Sequence, residues 1–148
     1  PLDCYGDTSL VSDPVYVERC RKEADGIMVR MFENVTRQKL VEAYQTYKAL
    51  LFTPVWDEPF GLVPVEAQSC GMPVVAIARG GVAETVSHEK TGYLCDDLRC
   101  VEEELKSGCF SSIRREACVE WANAHFSVQK MCDRYLELFE RVKEGHPW

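Results

Sequence analysis

Apolar residues in this chain cluster in short runs that alternate with longer amphipathic segments. Each run is bounded by glycine, proline or polar residues, which is typical of strands. The runs that predict strands are residues 2–6, 27–32, 49–52, 74–77 and 93–95. Because helix-length segments separate most of these runs, the pattern favours alternating strands and helices.

Helix signals fill the intervals between the runs. Asp13 before Pro14 is typical of a helix start, because the carboxylate caps backbone N–H groups and proline suits the first helical position. Thr36 can cap a second helix, in which apolar residues recur at a spacing near 3.6. Beyond residue 101 the pattern predicts helices alone. They cover residues 101–107, 112–124 and 128–143, with Ser127 as a cap for the last.

The alternation predicts an α/β, Rossmann-like fold: a mainly parallel sheet with helices on both faces, followed by a helical C-terminal tail. The sequence has 148 residues, and 46% of them are hydrophobic, which is enough for one ordinary core. It contains no internal repeat, low-complexity tract or linker. We therefore expect a single domain over residues 1–148.

Residues 53–81 carry the candidate chemistry. They read TPVWDEPFGLVPVEAQSCGMPVVAIARGG and follow directly after the predicted strand 49–52. A loop brings Glu58, a helix-length segment follows, and Gly71 and Pro73 end that segment before the next strand. Glu58 is therefore expected beyond the carboxyl end of a strand, where open α/β sheets bind ligands.

The start of the following helix predicts an anion site. The first backbone N–H groups of a helix have no intrahelical acceptor, and the helix dipole adds positive potential there. The residues around this start are Phe60, Gly61, Leu62 and Val63. Glu66, one turn into the helix, could hold a pair of hydroxyls, as an acidic residue holds a ribose in dinucleotide-binding folds. The alternative interpretation is a solvated loop carboxylate at Glu58 and a helix-stabilising acid at Glu66.

The charge distribution limits the possible partners. A formal net charge of -7 argues against nucleic acid, whose binding depends on clustered Lys and Arg. Among the arginines near predicted strand ends, Arg79 is the better candidate to bind a diphosphate, although a solvated surface arginine is the more common case. No apolar stretch reaches the roughly 18 residues that span a bilayer, and the polar start PLDCYGD is unlike a signal peptide. We therefore expect neither a transmembrane segment nor secretion.

Eight cysteines raise the question of metal or disulfide chemistry. They form no C-x-x-C pair, so the spacing typical of metal ligands is absent. Several fall on the apolar faces of predicted helices, where a reduced cysteine behaves as a small hydrophobe. We expect reduced cysteines, no metal and a cytoplasmic protein. The phosphate-loop and dinucleotide glycine patterns are also missing, which argues against kinases and dehydrogenases.

The central segment resembles the signature of retaining glycosyltransferases of the two-domain GT-B type. It has two glutamates separated by seven residues, Pro-Phe-Gly after the first, and a small-residue helix that ends in G-x-P-V-V-A. The glycogen synthase, sucrose synthase and mannosyltransferase group carries this signature. Further matches are Gly80 to Val86, Thr91 to Leu94, and the tail residues His125, Phe126, Ser127, Met131, Tyr135 and Phe139. The resemblance covers nearly the whole chain.

This resemblance implies a role for each candidate residue. Glu58 would contact sugar hydroxyls and act as the catalytic residue. The backbone of residues 60–63 would bind sugar and phosphate, and Glu66 would hold the ribose. The domain would bind a nucleotide-sugar donor without a metal or cofactor, and the sugar would be transferred with retention of configuration.

The resemblance also implies further segments. The family's donor domain begins with an additional strand and helix, which carry an Arg and a Lys for the diphosphate, and an acceptor domain precedes it. We therefore expect the chain to be the C-terminal half of such an enzyme, with the acceptor domain supplied by a missing N-terminal segment or another chain. Two alternatives stay open. One is a catalytically inactive module that binds a nucleotide sugar or a partner, and the other is a sugar-nucleotide epimerase, which needs no acceptor.

Overall fold

The computed structural model describes residues 1–10 and 13–146. The chain forms two compact units, Pro1–Glu42 and Ala43–Trp148. Each unit contains its own parallel sheet, with two strands in the first and three in the second.

The first unit pairs strand β1 (Leu2–Gly6) with strand β2 (Val29–Glu33) in parallel. A short 3-10 helix (Thr8–Leu10) and helix α1 (Pro14–Glu23) lie between them in the chain. The predicted cap is confirmed, because the carboxylate of Asp13 accepts hydrogen bonds from the backbone N–H groups of the second and third helical residues at 2.9 and 3.2 Å.

Glu33 joins three elements of this unit. Its carboxylate accepts two hydrogen bonds from the Arg21 guanidinium, at 2.8 and 2.7 Å, and a third from the Thr8 hydroxyl at 2.8 Å. These bonds favour the ionised form and lower the pKa of the Glu33 carboxyl to about 2. The interaction therefore stabilises the unit above the pKa of a free glutamate, and its effect is lost as the pH falls toward 2.

The predicted second strand began two residues too early. The sequence pattern gave residues 27–32, whereas β2 spans Val29–Glu33. The Asp25 carboxylate explains the shift, since it accepts hydrogen bonds from the backbone N–H groups of three successive residues, 27 to 29, at 2.7–2.9 Å. This turn engages the N–H groups of the first two apolar residues, so the strand begins after them, although the Met28 carbonyl still accepts the Leu2 N–H at 2.7 Å.

The second unit is built on three parallel strands in the order β3-β4-β5. Helix α2 spans the division between the two units. The elements in chain order are α2 (Arg37–Thr46), β3 (Leu50–Phe52), α3 (Leu62–Ser69), β4 (Val74–Ile77), α4 (Val82–Thr85), β5 (Gly92–Cys95), α5 (Leu98–Ser107), a 3-10 helix (Cys109–Ser112), α6 (Arg115–Phe126) and α7 (Val128–Lys143). The predicted α/β class, with parallel strands and a helical tail, is confirmed.

The core of the second unit lies around its central strand. All four residues of β4 are buried, and Val75 and Ile77 pack with Cys95 of β5 and Val101 of α5. By contrast β3 is only half-buried. Within the described residues β3 pairs with β4 alone, so its other edge has no neighbouring strand.

Two helix starts differ from the sequence pattern. Helix α5 begins at Leu98 rather than at 101, because the Asp97 side chain accepts a hydrogen bond from the Cys100 N–H at 2.8 Å and acts as the cap. Helix α6 begins at Arg115 rather than at 112, because a 3-10 helix occupies the preceding residues. For α7 the predicted bounds and the Ser127 cap are confirmed, with the Lys130 N–H bonded to the hydroxyl at 3.3 Å.

Helix α7 keeps an apolar face exposed. It has no buried residue among those that the structure describes. Its exposed apolar side chains recur at helical spacing and are Val128, Met131, Tyr135, Leu136 and Phe139. A stripe of this kind is typical of a helix that packs on another surface.

The Arg115 guanidinium holds the C-terminal end of α2. It donates hydrogen bonds to the backbone oxygens of Tyr44 at 2.9 Å, Gln45 at 3.0 Å and Tyr47 at 3.1 Å. The last carbonyl groups of a helix have no intrahelical donor, so one cation satisfies several orphan acceptors at once.

We expect Arg115→Met to lower the free energy of unfolding by about 2–4 kcal/mol, because it leaves partly buried carbonyl groups without a hydrogen-bond donor. The matched control is Arg114→Met. The Arg114 side chain is 73% exposed, and it contacts Glu116 only at 3.8 Å. Urea unfolding followed by circular dichroism measures both variants. Equal stability of the two would contradict the proposed role of the guanidinium.

Candidate functional site

The loop between β3 and α3 presents the first predicted glutamate. Both carboxylate oxygens of Glu58 accept hydrogen bonds from the same loop. Oε1 accepts from the backbone N–H of Gly61 at 3.3 Å, and Oε2 accepts from the indole Nε1 of Trp56 at 3.0 Å. The carboxylate is therefore held at both ends by donors of its own loop. The spacing of residues in the sequence gave no signal for the hydrogen bond between Trp56 and Glu58.

The start of α3 leaves backbone donors unpaired. Gly61 is the residue before the helix, in a left-handed conformation with φ 92°, and no side chain caps the helix. Pro64 has no N–H, and the N–H groups of Leu62 and Val63 have no acceptor among the described residues. The N–H of Gly61 is bonded to the Glu58 carboxylate, whereas the N–H of Phe60, like those of Leu62 and Val63, has no acceptor among the described residues.

The left-handed conformation explains why glycine stands at position 61. An L-residue with a side chain is strained at this φ, and a Cβ would also lie 3.2 Å from the Thr85 hydroxyl. Leu62 and Val63 are exposed on the next turn, with 65% and 39% of their surface accessible. Phe60 on the other side of the glycine is 43% exposed. The helix start is therefore open to solvent.

A pair of glycines packs against the backbone of the loop between β3 and α3. The turn after β4 brings Gly80 and Gly81 against the backbone of Glu58, Pro59 and Phe60. The N–H of Gly81 donates to the carbonyl oxygen of Glu58 at 2.7 Å. A Cβ added at Gly81 would lie 2.7 Å from both the Phe60 Cα and the Pro59 oxygen, and one at Gly80 would lie 2.8 Å from the Glu58 nitrogen. Residues without a side chain are required for this approach.

Arg79 lies next to the glycine pair and contacts the same loop. Its guanidinium donates from Nη1 to the carbonyl oxygen of Val55 at 2.8 Å. Arg79 also lines an open cleft at the carboxyl ends of β4 and β5. The other residues of this cleft are Pro54, Val55, Ile77, Asp96, Asp97, Leu98 and Arg99. The cation is therefore near the loop that carries Glu58, but two carboxylates share its cleft.

The second predicted glutamate lies on α3 and faces α2. Glu66 is half-buried. Burial and, next, the negative charge of Glu66 raise the pKa of the Tyr44 hydroxyl to about 12. The same two causes raise the pKa of the Cys70 thiol. Glu66 therefore lies in a partly buried setting rather than on a freely solvated helix face.

Aromatic side chains of α6 pack behind the loop. The Phe60 ring meets the edge of Phe126 with centroids 5.8 Å apart, and Phe126 meets Trp121 at 6.4 Å. The indole Nε1 of Trp121 donates to the carbonyl oxygen of Thr85 at 3.0 Å. The tail helix is thus joined both to the loop and to α4.

Gln68 joins α3 and α4 inside the protein. Its side chain is fully buried, and Nε2 donates to the carbonyl oxygens of Pro64 at 3.0 Å and Thr85 at 3.1 Å. Its Oε1 is buried and has no partner among the described residues. The Thr85 carbonyl therefore accepts from both Gln68 and Trp121, and it ties three helices together.

Other chemistry-bearing side chains are engaged elsewhere. The His88 Nδ1 accepts the Leu94 N–H at 3.1 Å, and the His125 Nδ1 lies 3.0 Å from the Trp121 oxygen. Burial raises the pKa of the Cys95 thiol to about 12 and that of Cys118 to about 11, so both are protonated at neutral pH. All eight cysteines are free.

Residues 1–10 and 13–146 contain no group of three or more His, Cys, Asp or Glu side chains placed to hold a metal ion. In the same residues no helix has both the length and the apolar character that crossing a membrane requires.

Comparison with known families gives one matching model. The family described as glycosyl transferases group 1 matches residues 15–103. Among curated proteins, the D-inositol 3-phosphate glycosyltransferase of Mycobacteroides abscessus is 44% identical over 115 residues, which cover 72% of this chain and 25% of that protein. The alpha-1,3/1,6-mannosyltransferase alg-2 of Neurospora crassa is 33% identical over 106 residues, covering 66% of this chain and 22% of that protein. The chain thus spans about a quarter of the length of these relatives.

Solved structures share the fold. HepE of Anabaena in complex with UDP-glucose superimposes with a TM-score of 0.74 at 22% identity, covering 93% of this chain and 40% of that one. Sucrose-phosphate synthase of Thermosynechococcus elongatus gives a TM-score of 0.71 at 24% identity, covering 97% of this chain and 39% of that one. At these identities the likeness concerns the fold.

The glycine pair gives a test of how the loop is held. We expect Gly81→Ala to lower the free energy of unfolding by about 1–3 kcal/mol, because the new methyl group collides with the backbone at Phe60. The amide resonances of Glu58, Phe60 and Gly61 should shift as the loop moves. Gly6→Ala is the control, since a Cβ there meets nothing within 4 Å. Unchanged loop resonances in Gly81→Ala would show that the loop does not depend on this contact.

Proposed function

Because the chain belongs to the glycosyl transferases group 1 family, we propose that it is the donor-binding half of a retaining glycosyltransferase. In this proposal a sugar passes from a nucleotide sugar to an acceptor. The observation that carries it is the fixed carboxylate of Glu58 beside an uncapped helix start. A hydroxyl-binding carboxylate and an anion-binding helix end are the two groups that a sugar diphosphate needs.

The proposed donor pose follows the order of groups along the chain. The hexose hydroxyls bind the Glu58 carboxylate, the diphosphate meets the N–H groups of Leu62 and Val63, and the ribose binds Glu66. Arg79 is the candidate cation for the diphosphate. The half-buried setting of Glu66 supports its role, because a carboxylate shielded from water forms stronger hydrogen bonds to hydroxyls.

The proposed reaction needs electrostatic stabilisation of its leaving group. The bond between the anomeric carbon and the diphosphate oxygen breaks, the acceptor oxygen bonds to the same carbon on the same face of the sugar, and the proton of the acceptor hydroxyl passes to the leaving diphosphate. The leaving nucleoside diphosphate gains negative charge. The backbone N–H groups of Leu62 and Val63 and the positive end of the α3 dipole are fixed in place before this charge develops. The proposal assigns no metal or cofactor to this step, and Glu58 is its catalytic residue.

The proposed partner is an acceptor-binding half, present as another segment or another chain. Two observations support it. The chain spans about a quarter of the length of its curated relatives, and the apolar face of α7 is exposed. A membrane surface fits this helix less well, because three acidic residues, Asp133, Glu137 and Glu140, offset most of the charge of its four basic residues, Lys130, Arg134, Arg141 and Lys143. The cytoplasmic location stays a prediction.

The two glutamates can be separated by mutation. We expect Glu66→Ala to weaken binding of both a nucleoside diphosphate and its sugar conjugate by roughly 10- to 150-fold, the loss of hydrogen bonds to a charged group. Glu58→Ala should spare the nucleoside diphosphate and weaken only the sugar conjugate. Calorimetry with UDP, GDP, ADP and their glucose or mannose conjugates measures both effects.

The control for this pair is Glu84→Ala, which removes an exposed acid of α4 that has no assigned ligand contact. Circular dichroism confirms that each variant is folded. Equal losses of nucleoside diphosphate affinity in Glu58→Ala and Glu66→Ala, or no loss in either, would defeat the assignment of sugar to Glu58 and ribose to Glu66.

We expect residues 1–148 alone to bind nucleoside diphosphates weakly and to transfer no sugar. Residues 1–148 do not include the additional strand and helix whose Arg and Lys are expected to bind the diphosphate. The loss of these two charge-assisted contacts, at about 1.5–3 kcal/mol each, weakens binding by roughly two to four orders of magnitude. Calorimetry and a transfer assay with simple acceptors measure this. Efficient transfer by the chain alone would overturn the need for an acceptor half. Interconversion of the sugar nucleotide without an acceptor would instead support an epimerase.

A further inference from the structure

Trp56 is an exposed tryptophan whose indole N–H is engaged by a side chain of its own loop. Its surface is 59% exposed, yet its indole N–H is engaged with the Glu58 carboxylate at 3.0 Å. We propose that Trp56 is a positioning residue, which orients the Glu58 carboxylate for the donor sugar through this hydrogen bond. The inference rests on the proposed function, because it deepens the account of the same site.

The hydrogen bond completes a clamp on the carboxylate. Glu58 has several rotatable bonds, and a free side chain loses that freedom when it binds a ligand. Here Oε1 is held by Gly61 and Oε2 by Trp56 before any ligand arrives. A carboxylate offers about four acceptor positions, so about two stay available for sugar hydroxyls. The clamp therefore fixes the orientation of the carboxylate without using up its capacity.

The chemistry of the indole suits this role. The indole Nε1 is a donor only, so it can bind a carboxylate but cannot accept a hydrogen bond from a sugar hydroxyl. A serine or histidine in the same place could do both and would compete for the ligand. The rest of the ring is apolar and is exposed beside the site. Trp56 therefore directs one polar contact at Glu58 and offers none to water on its other faces.

The backbone on both sides of Trp56 is fixed by contacts outside the loop. Arg79 donates to the carbonyl oxygen of Val55, the residue before it, at 2.8 Å. On the other side, the Glu58 backbone rests on Gly80 and Gly81. Donor and acceptor of the indole bond thus both belong to a supported stretch of chain. A hydrogen bond between exposed groups adds little to stability, so a purely structural role gives little reason to keep it.

The first experiment compares Trp56→Phe with wild type in the full chain. Phenylalanine keeps an aromatic ring and removes the N–H. We expect the gain in affinity from UDP to UDP-hexose to fall by roughly 2- to 10-fold, the loss of one hydrogen bond, with UDP affinity unchanged. Glu84→Ala is again the control, because it removes an exposed side chain that has no assigned ligand contact. An unchanged gain, or an equal loss of UDP affinity, would overturn the inference.

A second measurement needs no ligand. In the 15N spectrum of the full chain, Glu58→Gln should move the indole N–H resonance of Trp56. The indole of Trp121 should stay in place, since it donates to the Thr85 carbonyl. Resonances are assigned with single Trp→Phe variants. An unmoved Trp56 resonance would overturn the inference. If this resonance moves but wild type binds no nucleotide sugar, the positioning contact stands and the proposed function fails.

Discussion

The candidate site depends on a contact between two stretches of backbone. Strands β3 and β4 are parallel neighbours, so the loops that follow them leave the same edge of the sheet. Gly80 and Gly81 allow the second loop to lie directly under residues 58–60, and the Gly81 N–H bonds to the Glu58 carbonyl. Because the main chain of Glu58 is held there, its side chain reaches Trp56 and Gly61. The left-handed turn at Gly61 can then start α3 in its observed place.

Behind this contact, single side chains connect whole elements. Gln68 and Trp121 donate to the same carbonyl oxygen, that of Thr85, so α3 and α6 meet on one atom of α4. Arg115 holds the end of α2 from the start of α6. These hydrogen bonds belong to side chains that are wholly or partly shielded from water, where losing a partner is costly. The tail helix α6 is thus part of the support of the site.

Local features of the sequence were predictable, and long-range ones were not. The buried strand β4, the Asp13 cap and the bounds of α7 follow from short patterns, and all were confirmed. The start of β2 was wrong because a single carboxylate, Asp25, bonds three backbone N–H groups. The spacing of Glu58 and Glu66 indicated the candidate site. It did not predict the hydrogen bond between Trp56 and Glu58 or the packing of the Glu58 backbone against Gly80, since both depend on how the loop folds in space.

The packing of Gly80 and Gly81 against the loop backbone limits how such a site changes its ligand over generations. The main chain at residues 58–60 leaves no space for a side chain beneath it, so variation of the backbone path is closed off. Variation of the exposed side chains on the next turn is open, and Leu62 and Val63 are the positions concerned. Exchange of these side chains over an unchanged chain trace would therefore alter which ligand the site accepts. The backbone of the loop is thus constrained, while exposed side chains beside it are open to substitution.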